Sequence, residues 1–223
     1  MNNPIMTGSF IAMVGAIVAL VYGLSSIFRR KSKGLFFQIM VLGVGAFALG
    51  RFYEVLCFTT QGILPERAHL GYMGTVDMAI FFLTASRGSM DDLLDDRREE
   101  FRKYRRSALI APVCMAAVTA CAILIGDKHL GQKVILALAG SVMMFSVYYE
   151  CKHLMLPDEG LHFVENIRWT NLAAIVLNFS ALGMLYTQMM RIQTVYLLLS
   201  VFSVIAAIVL IVTTEKGVRA WLR

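Results

Sequence analysis

Seven apolar stretches, each close to the length a helix needs to cross a bilayer, recur along the 223 residues, and charge collects in the segments between them. A hydrocarbon layer roughly 30 Å thick takes about 20 helical residues at about 1.5 Å each. Backbone amides there meet no water, so they must be paired internally, in helices or in a closed barrel. Barrel strands alternate apolar and polar side chains, and these stretches do not. With 58% hydrophobic and 16% charged residues, the chain also carries too little charge to clothe a soluble surface. The spans are expected at 6–28, 35–58, 70–86, 107–126, 134–156, 169–190 and 193–214. The chain therefore reads as all-α, a single polytopic membrane domain over 1–223 built as a bundle of seven transmembrane helices.

The positive charges orient that bundle. Sixteen lysines and arginines fall on one set of alternate connections and the carboxyl-terminal tail: Arg29 to Lys33, Arg87 to Arg106, Lys152, Arg168, and Lys216 to Arg223. Only five, Arg51, Arg67, Lys128, Lys133 and Arg191, fall on the other side. Basic loops stay in the cytoplasm, which puts the N-terminus outside and the C-terminus in the cytoplasm. Tyr53, Tyr72, Tyr186 and Tyr196 are expected in an outer interfacial belt, with Tyr148, Tyr149, Trp169 and Trp221 at the inner boundary. The first stretch lacks a preceding basic flank and a following small-residue cleavage site, so it is expected to be retained as a span.

A net charge of +6 is thus a signal of topology and of attraction to anionic lipid. It implies no nucleic-acid partner. Cys57, Cys114, Cys121 and Cys151 form no CxxC and no metal spacing, and read as small packing residues. Gly15, Ala19 and Gly23, and again Ala46 and Gly50, recur every fourth residue, a spacing that lets helix backbones approach closely. Pro112 is expected to bend the fourth span.

Ionisable groups at membrane depth are the first candidates for function, because their burial is costly unless they pair or line a cavity. Arg51 and Glu54 are three residues apart and share a helix face. Asp77 enters the next span from the same side to similar depth, so Arg51 is expected to contact Asp77, Glu54 or both. Asn171 and Asn178, seven residues apart, define a polar seam on the sixth span and complete the candidate ligand-binding set. No catalytic residues suggest themselves.

Between the third and fourth spans, 88–106 reads as a cytoplasmic amphipathic helix, acidic at its start and basic at its end, with Met90, Leu94, Phe101 and Tyr104 as an apolar stripe. The run DDLLDD within it lacks the second acidic cluster that a diphosphate-binding magnesium site requires. The loop after the fifth span brings Glu150, His153, His162 and Glu165 into one neighbourhood, a weak metal-ligand set whose second pair is reversed in order. No cofactor is expected. No histidine sits at mid-membrane for haem, and the expected last span has no lysine for a retinal Schiff base of the rhodopsin kind.

Three function classes follow. The foremost is a receptor-like sensor or interaction protein of a bacterial inner (plasma) membrane, with an outward-facing polar pocket and the 88–106 helix as output to a cytoplasmic protein partner. A small-solute or ion transporter or channel, using the same carboxylates, is the alternative, and an intramembrane enzyme the second alternative. The lipid bilayer is the expected partner in every case, and assembly into a homo-oligomer stays open.

Overall fold

The computed structural model describes residues 4–29, 34–64, 69–90, 99–125, 129–155 and 164–221, and every regular element among them is helical. The helices are α1 (Pro4–Arg29), α2 (Leu35–Gln61), α3 (Leu70–Ala85), α4 (Arg102–Ser107), α5 (Ile110–Leu124), α6 (Leu130–Met155), α7 (Val164–Met189) and α8 (Gln193–Trp221). Among the described residues, six stretches are long and apolar enough to cross a membrane: α1, α2, the run through α4 and α5, α6, α7 and α8. α3 is shorter, at 16 residues, and is prolonged by a π-helical turn, Ser86–Met90. The protein is therefore a multi-pass helical bundle suited to a lipid bilayer.

Neighbour relations close a ring. α1 packs between α2 and α8, α3 between α2 and α6, and α7 between α6 and α8. α5 stands outside this ring and packs chiefly on α6, burying only Pro112, Met115 and Thr119, which share one helix face. Its other faces expose Val113, Val118 and Leu124, as Leu49, Leu138 and Ile205 are exposed elsewhere around the bundle. In water such a surface would be a liability; against lipid chains it costs nothing.

Small residues set the closest helix approach. A Cβ added at Gly74 would lie 2.6 Å from the Ala46 carbonyl oxygen, and one added at Gly50 2.8 Å from that of Gly71. Both distances are far inside van der Waals contact, so α2 and α3 meet backbone to backbone only because both positions are glycine. The α1 repeat serves the same end, with Gly15 facing Val204 of α8 and Gly23 facing Val41 of α2 and Ile211 of α8.

Pro112 acts at the start of α5 and not within it. Proline clashes with the carbonyl four residues back, here Ala108, and the helix is interrupted at Ala108 and Leu109 between α4 and α5. The tight turn from α7 to α8 is a Schellman motif: Ile192 N–H donates to Thr187 O at 2.8 Å and Arg191 N–H to Gln188 O at 3.2 Å. Arg191 takes the left-handed conformation there, φ 57°, with a side chain where glycine is usual.

One expectation is corrected. Tyr72 and Tyr196 are buried in the bundle, so neither belongs to an interfacial belt. The described ends of the 88–106 stretch are the close of the π-helical turn, Ser86–Met90, and a 3₁₀ turn, Glu99–Phe101, that leads into α4. Phe101 is buried, and 91–98, which include Leu94 and the DDLLDD run, lie outside the described residues.

Candidate functional site

α2 continues unbroken through Arg51 and Glu54, since no proline interrupts it and the bilayer leaves its backbone no partner but the helix itself. The spacing of three then sets both side chains on one face, and that face turns inward: each is 0% exposed. They form an ion pair, Nη1 to Oε2 at 2.9 Å. The Nη2 hydrogens reach α3, donating to the Gly71 carbonyl at 3.1 Å and to Thr75 Oγ1 at 3.0 Å. Nη1 also donates to the Tyr196 hydroxyl of α8 at 3.2 Å. The Phe47 ring, one turn earlier on α2, lies 5.2 Å from the guanidinium carbon.

Glu54 gathers the other two helices onto the same point. Its Oε2 accepts from Ser9 Oγ of α1 at 2.8 Å and from Tyr196 Oη at 3.3 Å, and Ser9 and Tyr196 are themselves bonded at 2.6 Å. One charged pair on α2 therefore touches α1, α3 and α8. In a low-dielectric interior such charge-assisted bonds are strong, and the loss of any one partner leaves a buried charge exposed to apolar surroundings.

The centre is not saturated. Arg51 Nε, Glu54 Oε1 and His69 Nε2 are buried without a hydrogen-bond partner among the described residues. His69 precedes α3 and caps it: its Nδ1 accepts from the Gly71 N–H at 3.1 Å, so the neutral ring carries its proton on Nε2. The imidazole lies between Tyr53, at 5.8 Å, and Tyr72, at 3.8 Å. Burial, and then the nearby Arg51 charge, push its pKa down to about 4, so it is neutral near pH 7.

Asp77 does not join this site. It lies on an exposed face of α3 and makes no ion pair among the described residues, so of the two partners expected for Arg51 the structure pairs it with Glu54 and not with Asp77. Depth was matched but helical phase was not: Thr75 turns to Arg51, and two residues, about 200°, carry Asp77 round the helix.

Asn178 belongs to a second polar group. Its amide nitrogen donates to both carboxylate oxygens of Glu150, at 3.0 and 3.1 Å, and Ser146 Oγ donates to Glu150 Oε1 at 2.7 Å. Asn171 is buried about two turns away on α7, with its amide nitrogen lacking a partner among the described residues. The two asparagines are thus not brought to Arg51. Of the metal candidates, Glu150 and His153 are buried on α6, Glu165 is exposed on α7, and His162 lies outside the described residues. Among the described residues no cluster of three His, Cys, Asp or Glu could hold a metal ion.

Ser9, Thr75, His69 and Tyr196 escaped the sequence reading. The available signal was weak: each is a polar side chain within a few residues of the same end of its helix, at a level matching Arg51. A third polar clasp was equally hidden. At the other end of α1 and α8, Tyr22 Oη donates to Glu215 Oε2 at 2.6 Å, and Ser26 and Arg219 also bond Glu215. Comparisons with protein-family models, curated proteins and solved structures find no match for this chain.

Proposed function

We propose that the protein is a membrane sensor whose ligand-responsive element is the Arg51–Glu54 centre. The bundle spans a plasma membrane seven times, α3 and its π-helical turn forming the third span, with the N-terminus outside. The 16 to 5 division of basic residues supports that orientation, which places Arg51, Glu54 and His69 toward the external face.

The observation that carries the proposal is a single ion pair bonded to three further helices while Arg51 Nε, Glu54 Oε1 and His69 Nε2 have no partner among the described residues. A buried polar atom left unpaired costs about 1–3 kcal/mol, so a small polar or cationic ligand able to engage Glu54 Oε1 would gain from the site and alter how α1, α3 and α8 sit on α2. A ligand shifts an equilibrium only by binding its two states unequally, and this centre gives it contacts that exist in one arrangement of the helices. The cytoplasmic ends of the spans then carry the change to a protein partner.

Thermal-shift screening of small polar and cationic solutes in detergent tests this on the wild type and on Glu54→Gln. Stabilisation by a solute in the wild type that Glu54→Gln abolishes, without flux of that solute into liposomes, is the expected result. A small-solute or ion transporter is the second reading, favoured by Glu150, a further buried carboxylate held by Ser146 and Asn178. Flux dependent on Glu54 and Glu150 would replace the sensor with it. Cysteine labelling checks the orientation: Asn3 should react from outside and Lys216 only after permeabilisation.

A further inference from the structure

The three polar clusters differ in how they meet the ends of the bundle, and only one contains a histidine that both caps a helix and abuts the charged core. His69 accepts from the Gly71 N–H through Nδ1, and the same Gly71 supplies the carbonyl that receives Arg51 Nη2. The first turn of α3 is therefore pinned twice through one residue, once by the imidazole and once by the guanidinium. Gly71 also lies against both side chains: a Cβ built there would stand 2.8 Å from Glu54 Oε1 and 2.8 Å from His69 Cε1. His69 and Glu54 thus flank the same face of Gly71.

We propose that protonation of His69 unlatches the first turn of α3 and opens the Arg51–Glu54 centre, making this end of the bundle acid-sensitive. The inference goes beyond the sensing role, since the latch would operate whatever the centre binds. Nδ1 can accept the Gly71 N–H only while it holds a lone pair. Once protonated it becomes a donor facing a donor, and the cap bond is lost. The new imidazolium also stands beside the Arg51 guanidinium in a buried setting, where like charges repel strongly.

The groups around His69 set the direction of the response. α2 contributes Arg51, Tyr53 and Glu54, α3 contributes Tyr72, and Tyr196 of α8 reaches the same ion pair. His129 and Lys133, at the start of α6, are the titratable groups that this neighbouring helix brings to the same end. Arg51 opposes protonation, and burial opposes it more, so the pKa is depressed to about 4. The neutral, latched form thus stabilises the native state above the ordinary histidine value of 6.5, and that contribution is lost as pH falls through about 4.

Hydrogen–deuterium exchange of the intact protein in detergent, corrected for the intrinsic pH dependence of exchange, reads the latch at the amides of Leu70 to Tyr72. Wild type should lose protection there on the order of fivefold to tenfold as pH falls from 6.5 to below 4, the size expected for removal of a helix cap. His69→Asn and His69→Ser keep a capping oxygen that does not titrate, and should hold that protection flat across the same range. Two variants are used so that poor folding of one leaves the comparison intact. Retained protection in the wild type down to pH 3.5, or an equal loss in wild type and variants, would overturn the proposal, the second result assigning the transition to a carboxylate.

Discussion

Glu54 and Glu150 are both glutamates at 0% exposure inside the same bundle, yet they are accommodated in different ways. Glu54 faces a cation: Arg51 lies one turn before it, and the pair is bonded to α1, α3 and α8. Glu150 has no ion pair among the described residues and is held by Ser146 on its own helix and Asn178 on α7. The first arrangement ties four helices through charge; the second ties two through an amide. Charge-assisted networks lose more when a member is removed, because what remains is an unpaired ion in a low-dielectric interior.

The largest expected effect follows from that asymmetry. Arg51→Leu should destabilise the protein by about 3–5 kcal/mol, the loss typical of stranding one member of a buried pair, whereas Asp77→Leu, on an exposed face, should change the melting temperature little. Equal effects would mean that Asp77 is no bystander on an exposed face but bears as much stability as the buried pair. Asn178→Leu should cost less, about 1–3 kcal/mol, since it removes a neutral donor and leaves Ser146 in place. A loss at Asn178 as large as that at Arg51 would erase the distinction between the two centres.

Gly74→Ala probes the packing that brings α3 to Arg51. The added methyl would meet the Ala46 carbonyl, so a loss of about 1–3 kcal/mol is expected from overpacking, together with faster amide exchange around Gly71. The smallest effect lies at the α7 to α8 turn. Arg191→Gly should raise stability by about 1 kcal/mol, because glycine takes the left-handed conformation without the Cβ clash.

The bundle was legible in the sequence because lipid imposes a length and a polarity on each span that single residues cannot disguise. The described helices run over the expected stretches, extending most of them by a few residues. The pairing of Arg51 with Glu54 was half legible, since a spacing of three fixes a shared face whatever the tertiary structure. Choosing between Glu54 and Asp77 required the rotation of α3 about its axis, which Gly50 and Gly74 settle by letting α2 and α3 touch at one register. The Ser9–Tyr196 bond could not be read, because a bond spanning 187 residues arises from the ring closing α1 onto α8.

The double-mutant cycle of Arg51→Leu, Glu54→Leu and the combined variant, read by thermal melting in detergent, bears most directly on the claim that one ion pair joins four helices. The combined variant removes both charges and strands neither, so it should be less destabilised than the two single losses added together, by at least about 1 kcal/mol. Strict additivity would mean that the two side chains act independently, and the polar centre would lose its standing as a unit.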